Sequence, residues 1–244
     1  DPLITLGVVA GATSRVRLGT TVLIVPYRQA VVTAKMVSSL DALSGGRVVL
    51  GVGAGWVAAE SAMLGVPFAE RGPMTDEYLR AMRELWTSPS PSFAGKYVRF
   101  DDLHFEPKPV QKPHPPIWVG GHGRASLRRA AEFGAAWHPI NRSPAELRAG
   151  VAELARQSRD RGRATPPALT LRNDVRILKP GESAPPSAHG GRVVAGEPAA
   201  LVDQIAELAA CGVEELVLEL LAADGRELDE QMAAFAERVR PRLS

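Results

Sequence analysis

The run with the clearest chemical meaning is RVVLGVGAGWVAAE, in which an apolar segment leads into alternating glycines. The dinucleotide fingerprint is Gly-x-Gly-x-x-Gly after a strand, with an acidic residue about 20 positions on. Gly51 and Gly53 fit the first two positions, but Trp56 occupies the third, where an indole obstructs helix–strand packing. The run therefore favours a ligand other than NAD at this strand end. A plain tight turn and an NAD-dependent dehydrogenase are the weaker alternatives.

A second glycine pair, Gly120-Gly121, follows an apolar segment and precedes a helical pattern. Backbone N–H groups at the start of a helix suit a phosphate group. His122 could add a hydrogen-bond donor, although an exposed loop histidine is the simpler interpretation. We therefore expect phosphate binding by the two glycines.

Other catalytic constellations are missing from the sequence. His104, His114 and His189 show no metal-ligand spacing with cysteine or acids, so we expect no metal site. No serine lies in a Gly-x-Ser-x-Gly elbow, and no Gly-Lys-Ser/Thr follows the SGGR turn. His138, in the run WHPI at a predicted strand end, is a weak catalytic candidate, since histidines at such positions are more often structural.

Composition limits the classes of partner. The 244 residues carry 29 basic and 27 acidic side chains, a net charge of +2, which argues against nucleic acid or a membrane surface as main partner. The single cysteine, Cys211, suits a reducing cytoplasm. No apolar run reaches the roughly 18–20 residues of a membrane span, and no secretory signal is visible. We expect a cytoplasmic protein whose natural start lies upstream of Asp1.

Strand-like and helix-like segments alternate along the chain, which predicts an α/β fold with a parallel sheet. Residues 88–116 interrupt the alternation with a proline- and aromatic-rich excursion containing a short hairpin, and residues 180–191 form a flexible loop. A single domain over residues 1–244 is expected, either a (β/α)₈ barrel or, as the main rival, a doubly wound open sheet. The predicted strands are 16–25, 48–52, 117–119, 136–140, 169–178 and 213–220. The predicted helices include 1–14, 30–43, 55–64, 75–86, 124–133 and 228–239.

Several runs together resemble the bacterial luciferase-like monooxygenase family, especially its branch dependent on the deazaflavin coenzyme F420. They occur in the family's order: RVRLGTTVLIVPYR, AKMVSSLDALSGGRVVLGVGAGW, LGVPFAERG, EYLRAMRELW, FAGKYVRF, PKPVQKPHPPIWVGGH and RRAAEFGAAWHP. The resemblance covers most of residues 16–139 and implies a TIM-type (β/α)₈ barrel with an insertion. It also implies that residues 1–14 are helix 2, so that strands 1 and 2 are missing and the barrel is open and incomplete.

The resemblance also implies a cofactor site. Similar deazaflavin enzymes have a non-prolyl cis peptide at the position of Thr21–Val22, forming a bulge behind a bent cofactor ring. The implied cofactor-binding residues are Thr21, Val22, Gly53, Ala54, Gly55, Gly120, Gly121 and His122.

Two departures from the family pattern leave the catalytic residues unassigned. Trp56 stands where some relatives carry an acid, and it cannot donate a titrating proton. Glu60, one helical turn on, is a possible substitute, although a solvated helix glutamate is the simpler interpretation. Ala135 replaces an acidic residue that the family usually has.

The resulting functional hypothesis is an oxidoreductase that passes a hydride between F420 and a small organic substrate. An FMN-dependent monooxygenase is the alternative cofactor assignment, and a non-catalytic cofactor-binding barrel is the alternative from another class. We expect a homodimer. The substrate is not readable from the sequence.

Overall fold

The computed structural model describes residues 1–243, which form two compact units. The first holds residues 1–120 and 133–135, and the second holds residues 121–132 and the chain from 136 onward. Each unit contains parallel strands with helices between them, so the predicted alternation is confirmed. The single domain over residues 1–244 stays a prediction. Within residues 1–243, no helix has the length and apolar character needed to cross a bilayer.

The first unit is built around one buried strand, β3 (Val48–Gly53). Residues 48–52 of this strand are all buried, as their apolar side chains require. β3 pairs in parallel with β1 and β2 on one side and with β6 on the other. The strands of this unit are β1 (Leu18–Gly19), β2 (Leu23–Ile24), β3, β4 (Phe93–Ala94), β5 (Arg99–Phe100) and β6 (Ile117–Gly120). Its helices are α1 (Pro2–Ala12), α2 (Ala30–Ser44), α3 (Ala58–Met63) and α4 (Arg71–Thr87).

The single strand predicted over residues 16–25 is wrong, because the chain forms two short strands separated by a bulge. Leu18 pairs with Val48 and Leu23 pairs with Val52. The chain therefore advances five residues from β1 to β2 while β3 advances only four. One extra residue must therefore leave the ladder, which is the definition of a β-bulge.

Three helix starts differ from the prediction by three residues or more. The helix predicted at 228–239 begins at Gly225, and the other two lie in the first unit. α3 begins at Ala58 and not at residue 55, because Gly55 has φ +82°, a left-handed conformation that a right-handed helix cannot include. α4 begins at Arg71 and not at residue 75. Pro73 fits within its first turn, where a missing backbone N–H leaves no helical hydrogen bond unmade.

The excursion over residues 88–116 carries the predicted hairpin, formed by antiparallel β4 and β5. One carboxylate, that of Glu77 on α4, holds the turn of this hairpin. It accepts backbone N–H groups from Lys96 at 3.0 Å, Tyr97 at 2.6 Å and Val98 at 2.9 Å. The hairpin is thereby fixed to α4.

The second unit is built around β8 (Ala168–Ile177), which pairs in parallel with β7, β9 and β10. The run Ser143-Pro144-Ala145-Glu146 predicts a capping box at a helix start. α6 (Pro144–Arg159) begins with this capping box, in which the Glu146 carboxylate accepts the Ser143 N–H at 2.8 Å. β9 was not predicted, since three residues carry too little periodicity to identify a strand. The strands are β7 (Ala136–His138), β8, β9 (Val194–Gly196) and β10 (Val213–Leu220). The helices are α5 (Arg124–Phe133), α6 (Pro144–Arg159), α7 (Pro198–Ala209) and α8 (Gly225–Ala234), with a π-helical turn at Phe235–Val239.

Candidate cofactor site

The bulge between β1 and β2 contains the cis peptide bond expected from the resemblance, at Thr21–Val22. Thr20 enters the bulge with only 6% of its surface exposed. Its hydroxyl donates to the Gly51 carbonyl on β3 at 2.7 Å. Thr21 is exposed and Val22 is partly buried. The bulge is therefore tied to the central strand by a buried hydrogen bond.

Three glycines on β3 and β6 make room for the bulge. A Cβ added at Gly51 would lie 1.9 Å from the Thr20 carbonyl oxygen. At Gly53 it would lie 2.7 Å from Val22 Cγ2, and at Gly120 2.9 Å from Val22 Cγ1. Real Cβ atoms do not approach other atoms so closely, so glycine is required at these positions by packing. The first unit thus brings Val22, Gly53 and Gly120 of the predicted site together.

Gly55 is constrained by both its backbone and its neighbours. Its φ is positive. In addition, a Cβ at this position would lie 3.0 Å from Ile24 Cγ2 and 3.2 Å from the Tyr27 hydroxyl. The Gly55 carbonyl accepts a hydrogen bond from Arg71 Nε at 3.1 Å. Ala54, between the two glycines, is partly buried. The turn after β3 is therefore held by packing against Ile24 and Tyr27 and by the hydrogen bond from Arg71.

Tyr27 is a polar neighbour of this turn that the sequence analysis missed. Its hydroxyl lies 3.2 Å from the Glu60 carboxylate and 3.3 Å from the Val57 carbonyl, and it accepts from the Ser61 hydroxyl at 3.4 Å. The run PYR, directly after a strand, was the only local signal for this residue. Glu60 is exposed, and Trp56 is 74% exposed. The catalytic acid stays unassigned.

The glycine loop before α5 lies in the second unit and is held from two sides. The indole Nε1 of Trp137 donates to the Gly121 carbonyl at 2.7 Å, and the Ser126 hydroxyl donates to the Gly123 carbonyl at 2.7 Å. Gly121 has φ +96°, and a Cβ there would lie 3.1 Å from Ser126 Cβ. The N–H groups of Arg124 and Ala125, the first two of α5, have no partner within the helix, whereas the Ser126 N–H donates to the Gly123 carbonyl at 3.0 Å. This loop therefore has the features of an anion-binding turn.

His122 lies at the exposed tip of the same loop. Desolvation and the nearby positive charge of Arg142 lower the pKa of His122, while Glu146 opposes that shift. The ring is therefore neutral at neutral pH and presents one N–H donor and one acceptor. A neutral donor at this place fits the predicted supporting role toward a phosphate.

His138 at the end of β7 is buried, with 3% of its surface exposed. Its Nδ1 lies 2.8 Å from the Thr170 hydroxyl, which itself donates to the Trp137 carbonyl at 3.4 Å. Burial, and secondarily the charge of Arg172, lower the pKa of His138 to about 4. The contacts support the structural interpretation of this histidine.

The buried His138 predicts a loss of stability in mild acid. The unfolded histidine titrates near 6.5 and the folded one near 4, so the unfolded state binds more protons between these values. The contribution is fully present above about pH 6.5 and falls by about 1.4 kcal/mol per pH unit as pH drops toward 4. The free energy of unfolding, measured with urea from pH 7 to 4.5, should fall with this slope as the pH drops. In His138→Gln the slope should be smaller by the contribution of one proton. An unchanged slope in that variant would contradict the assignment.

Asn141, in the loop after β7, joins three segments of the second unit and was not singled out by the sequence. It is fully buried and has φ +52°. Its Oδ1 accepts the Asp174 N–H at 2.8 Å, and its Nδ2 donates to the Ser187 hydroxyl at 2.8 Å and the Gly190 carbonyl at 3.2 Å. Its backbone carbonyl accepts the Arg192 N–H at 2.9 Å. Asn141 therefore fixes residues 187–192 against β8.

Among residues 1–243, no group of three or more histidine, cysteine, aspartate or glutamate side chains is placed to hold a metal ion. Within each unit, the residues described above contribute glycines, hydroxyls and backbone amides. This donor set is not typical of a metal centre.

Comparison with known proteins extends these observations. The sequence model of the luciferase-like monooxygenase family matches residues 1–175. An uncharacterized protein of Mycobacterium tuberculosis is 44% identical over 123 residues, covering 50% of this chain and 43% of the relative. The FMNH₂-dependent dimethylsulfone monooxygenase of Pseudomonas putida is 32% identical over 157 residues, covering 63% of this chain and 43% of that protein. The matched region thus spans less than half the length of these relatives.

Solved structures share the fold. A monooxygenase from Streptomyces bottropensis superposes with a TM-score of 0.84 at 20% identity, covering 100% of this chain and 83% of that one. The coenzyme F420-dependent tetrahydromethanopterin reductase of Methanopyrus kandleri superposes with a TM-score of 0.83 at 18% identity. The match covers 100% of this chain and 88% of that one. The predicted α/β fold of the luciferase-like TIM-barrel kind is therefore confirmed, and the doubly wound alternative is set aside.

Proposed function

Because the chain belongs to the luciferase-like monooxygenase family, we propose that it is an oxidoreductase that binds coenzyme F420 and acts on a small organic substrate. The observation that carries the proposal is the packing of Val22 against Gly53 and Gly120. The Val22 side chain fills the space that side chains at these two glycines would occupy, so the bulge lies directly against β3 and β6. A flat ring system is proposed to pack against this bulge, beside the exposed Thr21.

The residues divide into two functional groups. Val22, Gly53, Ala54 and Gly55 support the ring system, with Thr21 exposed beside them. In the second unit, Gly121, His122 and the N–H groups of Arg124 and Ala125 form a proposed anion site, since the amides and the helix dipole both favour an anion. Bound F420 supplies a carbon centre at ring position 5 that gives or accepts a hydride. The protein positions that ring and excludes competing reactions.

F420 is proposed ahead of FMN because the strand and glycine motifs resemble the deazaflavin branch more closely. Two superposing structures are described as F420-dependent, the tetrahydromethanopterin reductase and a secondary alcohol dehydrogenase with a TM-score of 0.83. FMN is the second candidate, supported by the 32% identical FMNH₂-dependent monooxygenase. With FMN the proposed reaction is a monooxygenation. The cytoplasmic location and the homodimer stay predictions.

Titration of the purified chain with F420, FMN and NAD, followed by cofactor fluorescence, tests the proposal. We expect F420 to bind with a Kd in the micromolar range, which is typical of enzyme ligands. Gly121→Ala should weaken binding roughly tenfold, because the new methyl group strains the positive φ and crowds Ser126. Gly123→Ala is the matched control, since a Cβ there meets nothing within 4 Å.

Each outcome of this titration is decisive. Binding of FMN without F420 replaces the cofactor assignment, and tight binding of NAD alone revives the dehydrogenase interpretation. Failure of every cofactor to bind leaves the non-catalytic barrel as the better description. Equal effects of Gly121→Ala and Gly123→Ala would remove the phosphate role of this loop.

A further inference from the structure

Arg71, the first residue of α4, reaches back to the turn that follows β3. Its Nε donates to the Gly55 carbonyl at 3.1 Å, and its Nη1 donates to the Phe68 carbonyl at 2.7 Å. The guanidinium carbon also lies 3.7 Å from the centroid of the Phe68 ring. Because the guanidinium group is planar and rigid, these three contacts hold both its position and its orientation.

The charge of Arg71 is not used in an ion pair. Among residues 1–243, no carboxylate lies within ion-pair distance of its guanidinium group. The carboxylate of the preceding residue, Glu70, accepts instead from Lys96 Nζ at 2.7 Å and from the Tyr97 hydroxyl at 2.6 Å. The side chain of Arg71 therefore acts on backbone carbonyls, one of which belongs to the turn after β3.

Gly55 is the point in this turn where the backbone has most conformational freedom. Its φ of +82° lies in the left-handed region, and the absence of a Cβ leaves the orientation of the following peptide group open. The hydrogen bond from Arg71 selects one orientation of the Gly55–Trp56 peptide, in which the carbonyl faces the guanidinium group.

Fixing the Gly55 carbonyl also fixes the N–H of Trp56. The two groups belong to one trans peptide, and in such a peptide the carbonyl and the N–H lie in a common plane and point in opposite directions. The Trp56 N–H therefore points away from the guanidinium group of Arg71. It forms no hydrogen bond with any residue of 1–243. The turn thus presents an oriented donor that the described part of the chain does not use.

This donor belongs to the turn that begins at the proposed ring site. The turn starts from Gly53, which packs against Val22 of the bulge. The ring systems of F420 and FMN both carry carbonyl oxygens, and such oxygens accept hydrogen bonds from backbone N–H groups. A ring system at this site therefore has an acceptor that matches the free Trp56 N–H.

We propose that Arg71 is a positioning residue, which directs the Trp56 N–H toward the ring system of the bound cofactor. The proposal rests on the cofactor function argued above. Arg71 does not touch the ring in this assignment and acts through the Gly55–Trp56 peptide. Loss of one oriented hydrogen bond corresponds to a rise in Kd of roughly threefold to tenfold.

The test observes the Trp56 amide directly. Labelling tryptophan with ¹⁵N at its α-amino nitrogen gives one NMR signal for each of the four tryptophans of the chain. Trp56→Phe identifies the Trp56 signal, because it removes that signal alone. Titration with F420, and separately with FMN, should shift the Trp56 signal of the unaltered chain as the cofactor binds. In Arg71→Met we expect the Kd to rise roughly threefold to tenfold and the shift at saturation to be lost.

Two further variants separate orientation from charge. Arg71→Lys keeps the positive charge but lacks the planar fork that donates to two carbonyls, so it should behave as Arg71→Met does. Arg15→Met is the matched control, since it removes one charge from an exposed arginine that forms no ion pair within residues 1–243. It should leave both the Kd and the Trp56 signal unchanged.

The outcomes separate this inference from the proposed function. If F420 binds the unaltered chain without moving the Trp56 signal, the positioning role is wrong and the cofactor function stands, whether or not any variant folds. Unaltered affinity in Arg71→Lys, or equal losses in Arg71→Met and Arg15→Met, would also overturn the inference, since charge alone would then explain the effect. Binding of neither F420 nor FMN overturns the proposed function itself.

Discussion

Gly51→Ala is expected to destabilise the chain by about 3 kcal/mol or more, near the upper end for overpacking. The new methyl carbon would lie 1.9 Å from the Thr20 carbonyl oxygen. Because that oxygen belongs to the backbone of the neighbouring bulge, no side-chain rotation can relieve the contact. The strand ladder or the bulge must shift, and the hydrogen bond from the Thr20 hydroxyl to the Gly51 carbonyl is then weakened as well.

Urea unfolding followed by circular dichroism measures this loss directly. Gly19→Ala is the matched control on neighbouring β1, because its Cβ would meet Val49 at 3.7 Å, an ordinary van der Waals distance. That variant should lie within about 0.5 kcal/mol of the unaltered chain. If Gly51→Ala unfolds within 1 kcal/mol of the control, the close packing of the bulge on β3 is wrong.

Asn141→Ala is expected to lower the free energy of unfolding by about 3–5 kcal/mol, because three side-chain hydrogen bonds in a fully buried site are lost together. Their partners, the Asp174 N–H, the Ser187 hydroxyl and the Gly190 carbonyl, are left without their Asn141 contacts. Alanine also tolerates the φ of +52° less well than asparagine does. We expect residues 187–192 to detach from β8.

Asn141→Gly separates the effect of the lost hydrogen bonds from the effect of backbone strain. Glycine adopts the positive φ without strain but makes no side-chain hydrogen bond. It should recover about 1 kcal/mol relative to Asn141→Ala. Limited proteolysis should cleave both variants within residues 187–192 faster than the unaltered chain. Protection of this segment in Asn141→Ala would show that other contacts hold it.

The local sequence was sufficient wherever a structure depends on neighbours along the chain. The capping box at Ser143, the strand 213–220 and the helix 124–133 follow from short patterns of side chains and backbone hydrogen bonds. The hairpin in the excursion also followed from local composition. The order of the family runs supplied the barrel-type fold and the cis bond at Thr21–Val22, which the residue types alone do not distinguish from a plain strand.

Only the tertiary structure decided why glycine stands at Gly51, Gly53 and Gly120. The sequence favoured a ligand near these residues, yet their closest neighbours are Thr20 and Val22, more than 25 positions away along the chain. Such contacts depend on strand register, and a shift of one residue changes every cross-strand neighbour. Asn141 could not be singled out for the same reason, because its partners come from a strand and a distant loop that meet only after the chain has folded.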